Sequence, residues 1–102
     1  MIRDFARVLA ALASEPGVMK GKMFGAEGLK VNKQVFAMGV KGKLVVKLSQ
    51  ERAAELRAAT LAEPFDPGHG RPMKQWVAVS PSAKVDWLQL SREALSYVSG
   101  LK

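Results

Sequence analysis

The strongest constraint on the fold is a run of alternating apolar and polar residues between positions 29 and 48. Apolar residues recur at every second position in three short segments, which the dipeptides Asn32-Lys33 and Lys41-Gly42 separate. Such alternation is typical of β-strands that bury one face, and two-residue separations favour tight hairpins. The pattern predicts an antiparallel meander of three strands. The residues assigned to its buried face are Leu29, Val31, Phe36, Met38, Val40, Leu44, Val46 and Leu48.

One helix is predicted before this meander and two are predicted after it. Apolar residues between positions 2 and 12 recur at helical spacing, and Pro16-Gly17 ends that helix. The stretch 49–60 begins with a serine suited to capping and predicts a second helix. A third helix is predicted to start at Pro81, because proline is favoured in the first turn.

The segment between the last two helices is predicted to complete the sheet. Residues 63–72 are rich in proline and glycine and predict a loop with a short strand at Phe65, and residues 75–79 predict a further strand. We therefore expect a single domain over residues 1–102 of the α+β class. Helices would cover one face of an antiparallel sheet in the order α-β-β-β-α-β-β-α.

Charge and cysteine content narrow the class of partner and the location. The chain has a formal net charge of +7 and no cysteine, and residues 18–47 hold seven lysines against one glutamate. A basic segment favours an anionic partner such as nucleic acid or an acidic protein surface, and a solubilising surface is the alternative. The N-terminal segment does not resemble a signal peptide, and the longest apolar run, residues 8–13, is too short to span a bilayer. A cytoplasmic protein with no membrane partner is expected.

The face of the meander opposite the predicted core is the candidate partner-binding face. If the large apolar residues face the helices, the pleat places small apolar residues and lysines on the other side. We expect this face to stay exposed, because three helices are few to cover both sides of the sheet. It could bind a partner protein, a second copy of the chain in a homodimer, or an anionic polymer. Its members are Lys30, Ala37, Gly39, Lys43, Val45 and Lys47.

One loop is the best candidate for binding a small anion. His69 titrates near neutral pH, and Arg71 can hold a phosphate or carboxylate through two hydrogen bonds. A surface turn in which Arg71 bonds local carbonyl groups is the alternative. His69 is the only histidine in the chain, and no spacing of serine and acid around it supports a catalytic triad. We therefore expect no enzymatic activity, no metal ion and no cofactor.

The stretch GKMFGAEGLKVN at residues 21–32 has the composition of a phosphate-binding loop without the required context. A dinucleotide-binding loop opens a helix, and a P-loop has a hydroxyl residue after its lysine, whereas here a strand follows. Gly25 and Gly28 are therefore predicted to be architectural, at least one of them with a positive φ angle. Phe24 is predicted to be buried and to fix the turn.

The same stretch carries a family resemblance. Met-Phe-Gly, a second glycine three residues later, and Phe-Ala in the next strand resemble the signature of the TfoX N-terminal domain family, also called Sxy-like. The corresponding residues of this chain are Met23, Phe24, Gly25, Gly28, Phe36 and Ala37. The similarity continues through residues 43–48 and 70–73 and covers roughly residues 5–99.

The resemblance implies a small two-layer domain similar to the secretion-chaperone-like folds. It also implies a regulatory role, because the named members of the family regulate genes for DNA uptake in bacteria and carry a further, helical C-terminal domain. We expect a stand-alone bacterial member that is a non-enzymatic regulatory or scaffolding domain and acts through protein–protein interaction. Direct nucleic-acid binding through the lysine-rich strands at residues 28–48 is the alternative.

Overall fold

The structure, a computed structural model, describes residues 2–23, 26–65 and 73–101, without the side chains of residues 23 and 73. Its helices are α1 (Phe5–Leu12), α2 (Gln50–Ala58) and α3 (Trp87–Ser99). Its strands are β1 (Val18–Met23), β2 (Ala26–Val31), β3 (Gln34–Val40), β4 (Lys43–Lys47), β5 (Glu63–Phe65) and β6 (Met73–Val79). Within these ranges the strands form one antiparallel sheet in the order β1-β2-β3-β4-β6-β5.

Two hairpins connect the central strands, as the sequence predicts. Asn32 and Lys33 link β2 to β3, and Lys41 and Gly42 link β3 to β4. All four residues have positive φ angles, between 52° and 79°. Two consecutive positive φ angles identify type I′ turns, whose twist matches that of the paired strands. The turns therefore fix the register of the three central strands.

The helices pack on one face of the sheet, and the predicted α+β architecture is confirmed. Apolar side chains of all three helices meet those of the sheet in the main hydrophobic core. The fully buried members include Val8 and Leu12 from α1, Ala53 from α2, and Ala94 and Val98 from α3. Burial of this apolar surface is the main favourable contribution to folding.

One additional strand and one helix boundary differ from the sequence prediction. Residues 18–23 form the additional strand, β1, which pairs with β2 along its whole length. The last helix begins later than predicted, because Pro81 lies in a turn. Asp86 caps α3 instead, and its carboxylate accepts a hydrogen bond of 3.0 Å from the backbone N–H of Leu88.

A β-bulge interrupts the pairing of β2 with β3. Leu29 pairs with Ala37, but the next residue, Lys30, pairs with Val35. Phe36 is therefore an extra residue in β3, without an opposite partner in β2. An extra residue shifts the alternation of side chains on the bulged strand by one position.

The bulge corrects the prediction for the buried face of β3. Phe36 and Ala37 both lie in the core beneath the helices, whereas Met38 and Val40 belong to the opposite side of the sheet. The prediction that Met38 and Val40 face the helices is therefore wrong. Phe36 does face them, and its side chain is fully buried.

Helix α2 ends in a Schellman motif with an unusual residue. The N–H of Leu61 donates to the carbonyl of Leu56 at 3.0 Å, and the N–H of Thr60 donates to the carbonyl of Arg57 at 3.1 Å. Thr60 has a φ angle of 58°, a left-handed conformation in which glycine is usual. A β-branched side chain disfavours this conformation, so Thr60 is a strained position.

A surface ion pair joins α2 to α3. The Nε of Arg52 donates to the carboxylate of Glu93 at 2.7 Å. This hydrogen bond, with help from Glu55, raises the pKa of Arg52 above its usual value. Because both side chains of the Arg52–Glu93 pair are about 40% exposed, the pair contributes little to the stability of the fold.

Candidate interaction surfaces

The sheet side away from the helices, here called the outer face, carries a second hydrophobic cluster. The pairing register aligns Gly28, Met38, Val45 and Ala78 in one row across four strands. Met38 is 0% exposed and Val45 is 1% exposed. The buried members are Val35, Met38, Val45, Phe65, Trp76 and Ala78, and Val40 packs against them. The outer face is therefore a packed layer and not a bare sheet.

Most of the predicted partner-binding residues do lie on the outer face. The four that pair across the sheet with members of this cluster or with Val40 are Lys30, Lys43, Val45 and Lys47. The three lysines are partly exposed at its border. The expected exposure of Val45 is wrong, because Phe65 and Trp76, which follow much later in the chain on β5 and β6, join the same cluster.

Ala37 and Gly39 were predicted on this surface but lie on the other side of the sheet. Ala37 is fully buried in the main core. A side chain at Gly39 would come within 2.9 Å of the ring of Phe5, so Gly39 faces α1. The bulge at Phe36 explains both errors, because it inverts the alternation of the later residues in β3.

A groove of about 290 Å³ lies on the outer face beside β5. Its apolar wall is formed by Val40, Val45, Pro64, Phe65 and Ala78, and its charged residues are Lys41, Lys43 and Glu63. The Nζ of Lys43 donates to both carboxylate oxygens of Glu63, at 2.9 and 3.2 Å. The groove thus combines an apolar floor with a charged rim, which is the composition of small protein-binding sites.

Both tryptophans contribute to packing. Trp76 is 5% exposed, and its ring lies 6.4 Å from that of Phe65 at an interplanar angle of 52°. This tilted arrangement is a favourable aromatic contact. Trp87 is 2% exposed and lies in the main core. Neither indole is therefore available as a stacking platform for a base.

The lysines of residues 18–47 do not form one continuous surface. Lys30, Lys43 and Lys47 border the outer face, as described above. Lys20 pairs with Leu29, which lies in the core beneath the helices, so Lys20 and Lys22 project from β1 toward the helix side. The basic charge is therefore divided between the two sides of the sheet.

Strand β1 forms a second candidate surface, which the sequence analysis missed. It is the terminal strand of the sheet within the described residues. Met19, on this strand, is 69% exposed and is the one strongly exposed large apolar residue of those ranges. A groove of about 360 Å³ runs beside the strand, lined by Leu9, Lys20, Gly21, Lys22, Glu27 and Gly28. The apolar and polar residues of β1 do not alternate regularly, so the sequence carries no clear strand signal there.

Gly28 does not have the positive φ angle that the sequence analysis considered. Of the glycines in the described part of the chain, Gly17 and Gly42 have positive φ angles. Gly25, which shared that prediction, and Phe24, which was predicted to be buried, lie outside the described residues. The conformational freedom of glycine is therefore not the reason for glycine at position 28.

Close approach of neighbouring strands explains Gly28. The residue lies inside β2, where it pairs with Gly21 on one side and with Met38 on the other. A Cβ atom at position 28 would lie 3.0 Å from the carbonyl oxygen of Ala37 and 3.3 Å from the Cβ of Met38. Glycine is suited to such sites because it has no side chain. Gly28 therefore has an architectural role, because the neighbouring strand β3 leaves no room for a side chain at this position.

The two residues of the predicted anion-binding loop, His69 and Arg71, lie outside the described residues. Within the ranges that are described, no group of three His, Cys, Asp or Glu side chains is arranged to hold a metal ion. No helix of those ranges has the length and apolar character needed to cross a membrane.

Two buried polar atoms of α3 have no hydrogen-bond partner among the described residues. They are the Nε1 of Trp87 and the Oγ of Ser91. The residues lie about one helical turn apart, and both side chains are buried on the inner side of α3. Ser91 was not singled out from the sequence, although it is a polar residue within the apolar stripe of the helix.

Comparison with known proteins finds one family. The model of the TfoX N-terminal domain matches residues 10–97 of the 102-residue chain. The matched range contains all six strands and the whole of α2, and it ends within α3. A comparison with curated proteins finds no match.

Proposed function

Because this chain belongs to the TfoX N-terminal domain family, we propose that it is a cytoplasmic regulatory or scaffolding domain that acts by binding another protein. The family supports a regulatory role related to competence or transcription. The proposed role is non-enzymatic, and the composition supports this: one histidine and no cysteine leave few side chains for nucleophilic or metal chemistry. The lack of cysteine also agrees with a reducing compartment.

The observation that carries this proposal is the groove on the outer face. Its floor consists of Val40, Val45, Phe65 and Ala78, which belong to a cluster on the side of the sheet that the helices do not cover. Its volume of about 290 Å³ lies just below the usual range of small-molecule pockets. An apolar floor of this size can accommodate an anchoring side chain of a protein partner.

The rim supports the same class of partner. Lys43 and Glu63 form an ion pair at 2.9 Å next to the apolar floor, and Lys41 lies exposed beside them. Both signs of charge at the border of an apolar floor give orientation to a protein contact. A purely electrostatic site for a polyanion would not need the apolar floor.

Affinity capture from the native lysate tests the groove with a matched pair of variants. Val40→Glu places a carboxylate at the partly buried wall of the groove, and Ala54→Glu places the same charge on the exposed side of α2. The parent protein and Ala54→Glu should capture the same specific proteins, and Val40→Glu should lose them. Thermal melts must show that both variants are folded. Equal capture by a folded Val40→Glu variant would contradict the assignment of the groove.

Direct nucleic-acid binding remains the second candidate, because one observation favours it. Lys30, Lys43 and Lys47 border the same side of the sheet. Lys43 is already paired with Glu63. Lys30 and Lys47, which form no ion pair within the described ranges, would thus supply two phosphate contacts.

The salt dependence of duplex DNA binding tests this candidate. Two phosphate contacts should give a slope of about −1.8 in log K against log salt concentration. Lys47→Gln should reduce the steepness by about 0.9, whereas Lys84→Gln, at an exposed site before α3, should leave it unchanged. No binding at micromolar protein in low salt would exclude the nucleic-acid candidate.

A further inference from the structure

We propose that β1 binds an extended acidic segment of a partner protein as an added strand of the sheet. This inference shares with the proposed function only the class of partner, because β1 is a separate surface from the groove on the outer face. It assigns a pattern to the bound segment: acidic residues would alternate with apolar ones.

The sheet topology makes β1 the better of the two edges for strand addition. An edge strand has backbone N–H and C=O groups that no neighbouring strand satisfies, and an extended peptide can pair with them. β1 has six residues and terminates the sheet in the described part of the chain. The other edge, β5, has three residues and includes Pro64, which cannot donate a backbone hydrogen bond.

The two sides of β1 differ in chemistry. Lys20 and Lys22 project to the helix side, and Met19 and Gly21 lie on the outer face. Residues directly opposite each other on paired strands share a face, so an added strand would face lysines with one set of side chains. Its other set would face Met19, which is 69% exposed. This arrangement favours carboxylates opposite the two lysines and an apolar side chain opposite Met19.

Of the two lysines, Lys20 should contribute more than Lys22 to the binding of the acidic segment. Lys22 pairs with Glu27 of β2, so a carboxylate is already opposite it. Lys20 pairs with the apolar Leu29, so no carboxylate of β2 lies directly opposite it. The groove of about 360 Å³ beside Lys20 and Leu9 leaves room for the acidic side chain.

The same charges disfavour a second copy of the chain as the added strand. In an antiparallel pairing of β1 with β1 that matches the two faces, Lys20 would lie opposite either Lys20, Lys22 or Val18 of the other copy. The first two pairings juxtapose like charges, and the third pairs an ammonium with a buried apolar residue. Charge complementarity therefore favours an acidic segment over self-association.

An octapeptide that alternates glutamate and valine is the direct probe. It should bind the parent protein, and hydrogen exchange of amides in β1 should slow in the complex, because their N–H groups become paired. A peptide of the same composition with all valines before all glutamates should not bind, and neither should the alternating lysine–valine peptide. Absence of binding at about 1 mM alternating peptide, equal binding of the block peptide, or unchanged exchange in β1 would each overturn the proposal.

Charge reversal provides the second arm. Lys20→Glu should weaken binding of the alternating peptide by about tenfold or more, and Lys84→Glu, with the same change of net charge, should leave it within about twofold. Equal effects would show that only net charge matters and would overturn the assignment. Val40→Glu, in the outer-face groove, should bind the peptide normally, so failure at β1 and failure of the proposed function remain distinguishable.

Discussion

The cross-strand pair Gly21 and Gly28 allows the packing of the sheet to be tested by one substitution made at two sites. In Gly28→Ala the new Cβ would lie 3.0 Å from the carbonyl oxygen of Ala37 and 3.3 Å from the Cβ of Met38. These atoms belong to the backbone and first side-chain carbon of a neighbouring strand, so relief requires a shift of β3. Overpacking of this kind lowers the free energy of unfolding by roughly 1–3 kcal/mol. The lower conformational entropy of the unfolded alanine variant offsets about 0.5–1 kcal/mol of that loss.

Gly21→Ala is the matched control and should have the opposite result. The atoms nearest to its Cβ would all belong to the side chain of Lys30, with Cε at 2.5 Å and Cδ at 2.9 Å. A lysine side chain can move away by changing rotamer, so the entropic gain of up to about 1 kcal/mol should remain.

Thermal and urea unfolding of the parent and both variants measure the difference. Gly28→Ala should lower the free energy of unfolding by about 1–2 kcal/mol, which corresponds to a fall in Tm of roughly 5–15 °C for a domain of this size. Gly21→Ala should leave Tm unchanged or raise it. Equal losses at the two positions, or a stable Gly28→Ala variant, would refute the close-approach explanation.

Three further substitutions test other parts of the structure. Val45→Glu should prevent cooperative folding at neutral pH, because an unpaired charge buried in the outer-face cluster costs several kcal/mol. A circular dichroism melt like that of the parent would show instead that position 45 is exposed, as expected from the sequence. Thr60→Gly should raise the free energy of urea unfolding by about 1 kcal/mol, because it removes a β-branched residue from a left-handed conformation. An unchanged free energy of unfolding would mean that Thr60 is not strained. Ser91→Ala should raise the free energy of urea unfolding by about 1 kcal/mol, because it removes a buried hydroxyl that has no partner among the described residues and because alanine has the higher helix propensity. A loss of stability would show that the hydroxyl is hydrogen-bonded.

The architecture could be predicted because its signals are local. The alternation in β2 and β4 and the two-residue turns at Asn32-Lys33 and Lys41-Gly42 depend on neighbouring residues alone. Each of these signals is present in the sequence and agrees with the others. The buried face of β2 and β4 was accordingly correct.

The bulge at Phe36 could not be predicted in this way. Within β3 the apolar positions 36, 38 and 40 alternate regularly, and the extra residue is visible only in the pairing with β2. A bulge is a property of two strands, and a single strand carries no record of its register. Because of this bulge, Met38 and Val40 lie on the outer face and Ala37 and Gly39 lie on the helix side, each opposite to the face predicted from the sequence.

The burial of the outer face also depends on distant parts of the chain, and β1 carries only a weak strand signal of its own. Val45 is buried among residues that include Phe65 and Trp76, which follow it by 20 and 31 positions. β1 contains two lysines and a glycine, which lower its resemblance to a strand, and its pairing with β2 decides its conformation. The candidate surfaces were therefore found only in part from the sequence.

Binding to protein, as opposed to nucleic acid, is tested most directly by affinity capture from the native lysate with and without nuclease. We expect the same specific proteins in both samples, at comparable amounts, and their loss with Val40→Glu but not with Ala54→Glu. Loss of the captured proteins after nuclease treatment, together with recovery of nucleic acid from the untreated sample, would contradict the protein-binding role and favour the lysines of the outer face as a phosphate-binding surface.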